Sequence, residues 1–491
     1  MTTSFGDAER AQLWGLLTHI SIDMPSSPHS LLCLLAATTV LAIDNGLGLR
    51  PPRGWRSWNQ FQCAINQSLV EAQYAVLVSR SRSVDGVPTS LFDLGYETAG
   101  IDDCWQKCNS GPLFQGFHDV HGYPVVDKSI FPDMKAMTDK AKSLGLIPGW
   151  YGNNCHCAEH RKGCELSEGH DSCFAGDVQA TLDFGFESIK LDSCGIQKNV
   201  THYAALFNAT GRRVLLEDCH NGNPTYPTRD AATGAVDCPM NFFRSSTDIR
   251  PTFGSMLINL RSTSAYNGAN LTGPGCWAYP DMLEVGVTNS QKVAEGCKAW
   301  GQRGCTLDLI EARTHFAAWC LVSAPLVLGN DLTDTVTMDA VWPILSNREA
   351  LAINEAWVGD AGVLLKQSAA NVSMANCSWF DGNGCEHPSW MVWKKQLNAS
   401  SVALLLMNNA ETAQDVAVTW RDDLPPGALT CPCAVRDVHA HRDLGVHADG
   451  FTAAGLGAHD SAFLVVTSAG GGVEAGGGGA AGGGAGAVEA S

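Results

Sequence analysis

The chain runs to 491 residues, of which 45% are hydrophobic and 17% charged, too long for one average domain and apolar enough to bury a large core. A net charge of −18 excludes a nucleic-acid-binding role carried by basic surface. A disordered chain is excluded too, because such chains are poor in core-forming residues.

The first predicted element is a targeting segment. Residues 31–43 (LLCLLAATTVLAI) form an apolar run too short to cross a bilayer but suited to the core of a signal peptide. Val40, Leu41 and Ala42 offer small residues for cleavage near Ala42. Residues 1–30 are polar and lack a basic start, and Met24 begins a better-proportioned signal. Residues 1–42 therefore read as an N-terminal extension plus signal peptide. No other stretch is long and apolar enough for a membrane helix, so no membrane span is expected. Seven Asn-x-Ser/Thr sites begin at Asn66, Asn199, Asn208, Asn270, Asn371, Asn376 and Asn398. Of 19 cysteines, 18 remain if Cys33 leaves with the signal. Together these features predict a glycosylated, disulfide-bonded product of the secretory pathway, extracellular or in a vacuole or lysosome. Zinc is the competing reading of clustered cysteines, but Cys155-x-Cys157 and Cys431-x-Cys433 lack the paired C-x2-C spacing. No metal is expected.

Residues 43–350 then alternate buried strand-like runs with helical patterns. The strand candidates are GWRSWN at 54–59, GYETAGID at 95–102, GLIPGWYG at 145–152, ESIKLDS at 187–193 and RVLLEDC at 213–219. FFRSSTD at 242–248, GCWAYPDML at 275–283 and CLVSAPLVLGND at 320–331 complete them. Helices are predicted at 134–145 and 200–211, where Tyr203, Leu206 and Phe207 recur at helical spacing and Gly211 supplies the stop. This α/β order implies a parallel sheet, and eight such units fit a (β/α)8 TIM barrel. A doubly wound sheet is the alternative, but no Gly-x-Gly-x-x-Gly follows the first strand. From 351 to 468 the texture changes to short β-type runs (VLLKQ, WMVWKK, SVALLLMN, DVAVTW, SAFLVVT) between turn residues, which predicts a C-terminal antiparallel β-sandwich domain. Residues 469–491 are Gly/Ala-rich without core formers and read as a disordered tail.

In a barrel, polar residues at strand C-terminal ends are the functional candidates. Carboxylates end several of these runs: Asp102 and Asp103, Asp192, Glu217 and Asp218, Asp248, and Asp281 after Trp277 and Tyr279. Each alone has an ordinary reading as a helix cap or salt-bridge partner. Their company changes the balance. Lys190 lies two residues before Asp192, on the same strand face, and Arg244 lies four before Asp248. Trp55, Trp58, Trp105, Trp150, Tyr151 and Trp277 crowd the same regions. Carboxylates that accept from hydroxyls, with flat apolar rings beside them, suit a sugar, and a carboxylate pair is the natural catalyst of glycoside cleavage by water.

The pieces GWRSWNQFQC, GIDDCW, KLDSC, RSSTD, PGCWAYPDML and SAPLVLGNDL occur in one order between residues 53 and 466. In these the chain resembles glycoside hydrolase family 27, the α-galactosidases and α-N-acetylgalactosaminidases, and its loops look closest to plant and protist members. The resemblance implies a retaining exo-glycosidase acting on terminal α-D-galactosyl residues, with Asp192 as nucleophile and Asp248 as acid/base. It implies that Asp102 and Asp103 accept from the sugar O4 and O6, and that Lys190 and Arg244 bind on the O2–O3 side. Trp58, Tyr151 and Trp277 would shape the pocket wall, with Asp281 as a further substrate-binding residue. Disulfides Cys63–Cys104, Cys155–Cys194 and Cys219–Cys238 would follow. The loop that reads the 2-substituent opens at Cys219, followed by His220 and Asn221, which match neither animal pattern of that loop. Their length favours a free 2-OH, while His220 could equally be a structural histidine. A β-L-arabinopyranoside, an α-N-acetylgalactosaminide, or mere binding of a galactoside by an inactive barrel remain open. The implied partner is a carbohydrate with no cofactor, and assembly is open, a homodimer among the options.

Overall fold

The structure, a computed structural model, describes residues 40–42, 45–111, 114–159, 172–219, 227–288, 306–375, 377 and 384–469. Most of the expected signal segment and the Gly/Ala-rich tail from 470 onward lie outside the described residues.

Eight short strands form one sheet: β1 (Arg53–Arg56), β2 (Thr98–Gly100), β3 (Ile147–Gly152), β4 (Ser188–Leu191), β5 (Leu215–Asp218), β6 (Phe242–Arg244), β7 (Trp277–Tyr279) and β8 (Leu326–Leu328). Each pairs in parallel with the next from β1 to β7, and β8 pairs with β1. A parallel bridge between Leu283 and Leu328 closes the circle. All eight strand runs read from the sequence take part. Close strand approach explains one motif glycine: a Cβ at Gly54 would sit 2.1 Å from the Thr98 carbonyl oxygen.

Helices α1 (Gln67–Leu77), α2 (Met134–Ser143), α3 (Ser172–Phe184) and α4 (Val200–Ala209) follow the first four strands. α2 begins where the Asp133 side chain accepts from the Ala136 amide, and it buries Met134, Met137 and Ala141 at helical spacing. Asn199 caps α4 in the same way, and Gly211 beyond it adopts φ +68°. Among the described residues no helix lies between β5 and β6. There Val236–Cys238 instead pairs with Thr228–Arg229 and with Val40–Ala42. α5 (Phe253–Ser262) follows β6, α6 (Leu309–Leu321) follows β7, and α7 (Thr335–Leu345) and α8 (Arg348–Glu355) follow β8.

The C-terminal part is an antiparallel sandwich. Strands β9 (Val363–Gln367), β10 (Trp390–Asn398), β11 (Ser401–Asn408), β13 (Cys433–Asp437), β14 (Arg442–His447) and β16 (Ser461–Ser468) form a sheet ordered β9-β10-β11-β16-β13-β14. β12 (Gln414–Thr419) and β15 (Gly450–Leu456) form the facing pair. Every residue of β11 is buried. Alternation explains this: Val402, Leu404 and Leu406 enter the sandwich core, while Ala403, Leu405 and Met407 join the core shared with the barrel. α6 accordingly presents no polar stripe, since it lies between barrel and sandwich. Polar contacts fasten the same joint. Glu311 meets His459 at 2.6 Å, Arg313 meets Asp460 at 2.8 Å, and Glu349 pairs with Arg436 through two bonds of 2.7 and 2.8 Å.

Candidate active site

β4 supplies the centre of the site. Ile189 and Leu191 pack into the core, so Lys190 and Asp192 point to the opposite face, toward the barrel axis. Tyr151 stands in register with Lys190 on β3 and donates its hydroxyl to Asp192 Oδ2 at 2.6 Å. The Ser193 amide donates to Asp192 Oδ1 at 2.6 Å, and Lys190 Nζ lies 3.8 Å from Oδ2. All three present a proton or a positive charge to one carboxylate. Burial, reinforced by the charge of Asp192, pushes the Tyr151 phenol well above its ordinary range, so it acts as a donor. Lys190 also reaches Asp102 Oδ2 at 3.0 Å. Burial alone would lower its pKa, but the carboxylates of Asp102 and Asp192 outweigh that and hold the ammonium above its usual value. Disulfide Cys155–Cys194 lies against this group, with Cys194 Sγ 3.8 Å from Asp192 Oδ1.

β6 supplies the second half. Arg244, at the end of the strand, reaches Asp248 Oδ1 at 3.1 Å, Asp281 Oδ2 at 2.8 Å, Cys219 Sγ at 3.3 Å and the Ser246 carbonyl at 3.3 Å. Burial opposes its charge, yet Asp281 and Asp248 raise its pKa well above the ordinary value. Burial also pushes the free Cys219 thiol well up, so it is neutral. Cys219 links the two halves: its amide bonds the Leu191 carbonyl, next to Asp192, at 2.8 Å, and its sulfur meets Arg244. The exposure of the two carboxylates differs usefully. The Asp192 side chain is 13% exposed and that of Asp248 36%, so the second can meet a leaving group and water while the first stays enclosed.

Beneath them, Arg56 on β1 reaches across the barrel to Glu217 on β5 through two bonds, one of 2.9 Å, and lies 4.0 Å from Asp102. Burial opposes the Arg56 charge, but Glu217 more than compensates and raises its pKa. The sequence reading placed Glu217 among strand-end acids and missed Arg56. Two opposite charges inside otherwise apolar strands were the available signal, because buried charges occur in pairs. Replacing Arg56 with Met leaves Glu217 buried without its partner and is expected to cost about 3–5 kcal/mol, most of it recovered in the double variant Arg56→Met/Glu217→Leu. Denaturant unfolding checks this; a double variant as unstable as the single one removes the pair from that role.

Several expected site residues are placed elsewhere. Asp103 accepts from five donors: Cys104 N, Gln106 Nε2 and Asn154 Nδ2 on Oδ1, and Cys155 N and His156 N on Oδ2, at 2.7–3.1 Å. A carboxylate has about four lone-pair sites, so Asp103 clamps the loop after β3; Asp102 accepts from Lys190 Nζ on Oδ2 at 3.0 Å and from the Asp103 amide on Oδ1 at 2.9 Å. The same loop is held by Glu159, which meets His118 at 3.1 Å; His118 bonds Asp177 at 2.9 Å on its other side. Burial disfavours the imidazolium, but the two carboxylates raise its pKa to about 9. Trp277 begins β7 at the strand end opposite the carboxylates and donates to Gly48 O at 2.6 Å, so it is barrel floor and not pocket wall. Trp55, Trp105 and Trp150 are buried too, because alternation sends Trp150 outward against Phe186 and Tyr151 inward. Trp58 is half-buried and packs against the small cluster that holds Trp277, Tyr279 and Met282. His220 lies outside the described residues.

Cysteine pairing departs from expectation at one bridge. Cys63 pairs with Cys104 and Cys155 with Cys194, but Cys238 pairs with Cys276 and leaves Cys219 free. The reason is geometric: Cys219 ends β5 facing Arg244, while Cys238 packs in a buried position beside the start of β7. Cys108–Cys157, Cys377–Cys385 and Cys431–Cys433 are also joined. Among the described residues three clusters have metal-like spacing: Cys108, His156 and Cys157; Cys377, Cys385 and His387; Cys155, Asp192 and Cys194. In each, both sulfurs belong to a disulfide and offer no thiolate, so the residues do not fit a zinc ion.

Paired carboxylates with cationic partners at the C-terminal end of a barrel, joined to a β-sandwich, define a glycosidase-type enzyme. Residues 50–356 match the family model described as alpha galactosidase A, and residues 388–466 match the alpha galactosidase C-terminal beta sandwich domain. An alpha-galactosidase of Coffea arabica is 30% identical over 87% of this chain and 96% of its own length. Alpha-galactosidase 3 of Arabidopsis thaliana is 29% identical over 87% and 84%. Among solved structures, alpha-galactosidase I from Mortierella vinacea shares the fold with a TM-score of 0.64 at 22% identity, covering 87% of this chain and all of that one. The chain belongs to the alpha galactosidase A family, a family of glycoside hydrolases.

Proposed function

We propose that this chain hydrolyses terminal α-D-galactosyl residues with retention, using Asp192 as nucleophile and Asp248 as acid/base. The observation that carries the reading is the division of labour between two carboxylates: Asp192 enclosed by Tyr151, Ser193 and Lys190, Asp248 open and held by Arg244. In the first step an Asp192 oxygen attacks the anomeric carbon as Asp248 gives its proton to the departing glycosidic oxygen. A β-glycosyl ester forms and the C–O bond to the aglycone breaks. In the second step Asp248, now a carboxylate, takes a proton from water as the water oxygen attacks the same carbon. The ester breaks, Asp192 returns as carboxylate and Asp248 as acid.

Asp102, fixed by Lys190 and the Ser57 hydroxyl, faces the pocket as an acceptor for the sugar O4 and O6. Arg244 and the Cys219 thiol stand where the 2-position would lie, which suits a free hydroxyl. The secreted setting is supported by the disulfides, and among the described residues no helix is long and apolar enough to cross a membrane; extracellular or vacuolar delivery is part of the proposal. The deciding assay offers p-nitrophenyl α-galactoside, β-L-arabinopyranoside and α-N-acetylgalactosaminide to the folded protein. Turnover of the first with the third at least about 100-fold slower is expected. Preference for the acetamido sugar overturns the 2-hydroxyl reading, and turnover of none leaves a galactoside-binding barrel.

A further inference from the structure

Asp281 was read from the sequence as a substrate ligand, yet its oxygens are already engaged. Oδ2 takes Arg244 Nη2 at 2.8 Å and the Ile249 amide at 2.8 Å, and Oδ1 takes the Met282 amide at 2.7 Å. Its own carbonyl accepts from Trp319 Nε1 at 2.8 Å. The side chain is only 7% exposed. The residue has φ +86°, a conformation few non-glycine residues adopt and one that Asp and Asn tolerate better than most. A buried carboxylate on strained backbone, gripping the amide of the residue after Asp248 and the guanidinium that touches Asp248, is built to act on Asp248.

On the glycosidase reading above, we propose that Asp281 is a positioning residue: it fixes Asp248 through Ile249 and neutralises Arg244, so that Asp248 keeps its proton until the leaving group takes it. Without that neutralisation the Arg244 cation, 3.1 Å from Asp248 Oδ1, favours the ionised form of Asp248. The charged and titratable groups facing this assembly come from every neighbouring element. Lys190 and Asp192 belong to β4, Cys219 to the end of β5, Arg244 and Asp248 to β6 and its loop, and Tyr279 and Glu284 to β7 and its loop. Cys219 and Tyr279 are neutral, as burial drives both well above their ordinary values. Burial raises Glu284 too, and Asn59 donates to its Oε1 at 2.8 Å. Burial raises the Asp281 carboxyl as well, while the Arg244 guanidinium opposes that, and Asp281 and Asp248 are the two carboxyl groups that meet Arg244, at 2.8 and 3.1 Å.

The test is Asp281→Asn, which keeps shape and tolerates the backbone, compared with wild type across pH on two α-galactosides. One has an alkyl leaving group that needs protonation and the other a 2,4-dinitrophenyl group that does not. Expected for the alkyl substrate are a kcat/KM fall of roughly 10–100-fold and an alkaline limb moved about one pH unit lower, with less than about 3-fold change on the dinitrophenyl substrate. Asp281→Glu, which restores the charge, is expected to return the alkaline limb to the wild-type position, and it carries the test alone if the Asn variant does not fold. Equal loss on both substrates with an unmoved limb, or a limb that Glu shifts as far as Asn does, overturns the proposal. A wild-type protein inactive on every α-galactoside overturns the functional reading and this one with it. Wild-type activity with an unmoved limb overturns this one alone.

Discussion

Asp192→Asn is expected to lower kcat by roughly 10⁴-fold or more, about 5.5 kcal/mol of transition-state stabilisation, with little change in galactose affinity. Asn is isosteric and can still accept from the Tyr151 hydroxyl, which lies 2.6 Å from the present carboxylate. What it loses is the negative oxygen that attacks carbon. The surroundings hold both oxygens of that carboxylate: the Ser193 amide on Oδ1, the Tyr151 phenol and the Lys190 ammonium on Oδ2. Calorimetric titration with galactose beside steady-state kinetics separates the two effects. A variant that keeps a tenth of wild-type activity rules Asp192 out as the nucleophile.

The second large effect separates leaving groups. Asp248→Ala is expected to lose about 10²–10⁴-fold on alkyl galactosides, whose oxygen must be protonated as it departs. On a dinitrophenyl galactoside the first step needs no acid, so the glycosyl ester accumulates and its hydrolysis becomes limiting. Azide, which attacks without a general base, should then raise turnover of this variant and leave the wild type unaffected. Arg244 is released from one of its two carboxylates in this variant but keeps Asp281 at 2.8 Å, so the pocket should hold its shape. The same loss for every leaving group, without azide acceleration, would mean that Asp248 acts on binding or folding and not on proton transfer.

Much of the barrel was legible in the chain. Parallel strands are covered on both faces and read as short apolar runs, and each run ended in the polar residue that the barrel brings to one rim. Asp192, Asp248, Lys190, Arg244 and Asp102 could therefore be gathered before any coordinates. Sequence spacing did not tell which way, or how high, a ring points. Trp150 and Tyr151 are neighbours on β3 with opposite fates, and Trp277 is two residues from the useful end of β7. The engagement of Asp103 was not legible because three of its five donors, Asn154, Cys155 and His156, come from a loop some fifty positions away. The cysteine pairs were illegible for the same reason, as the Cys238–Cys276 bridge depends on how β5, β6 and β7 stack. In the sandwich, Arg442–His447 and Gly450–Leu456 escaped notice because few of their side chains are buried. Their strand form comes from backbone pairing with Cys433–Asp437 and Gln414–Thr419.

Trapping of the glycosyl-enzyme goes directly to the chemistry. A fluorinated galactosyl substrate with a very good leaving group slows both steps, and the second more, so the ester persists long enough for peptide mapping by mass spectrometry. The expected result is one sugar per chain, attached within the KLDSC segment at Asp192. Attachment to any other residue, or rapid release of the aryl group with no covalent sugar on the protein, is incompatible with Asp192 as the nucleophile of a retaining mechanism.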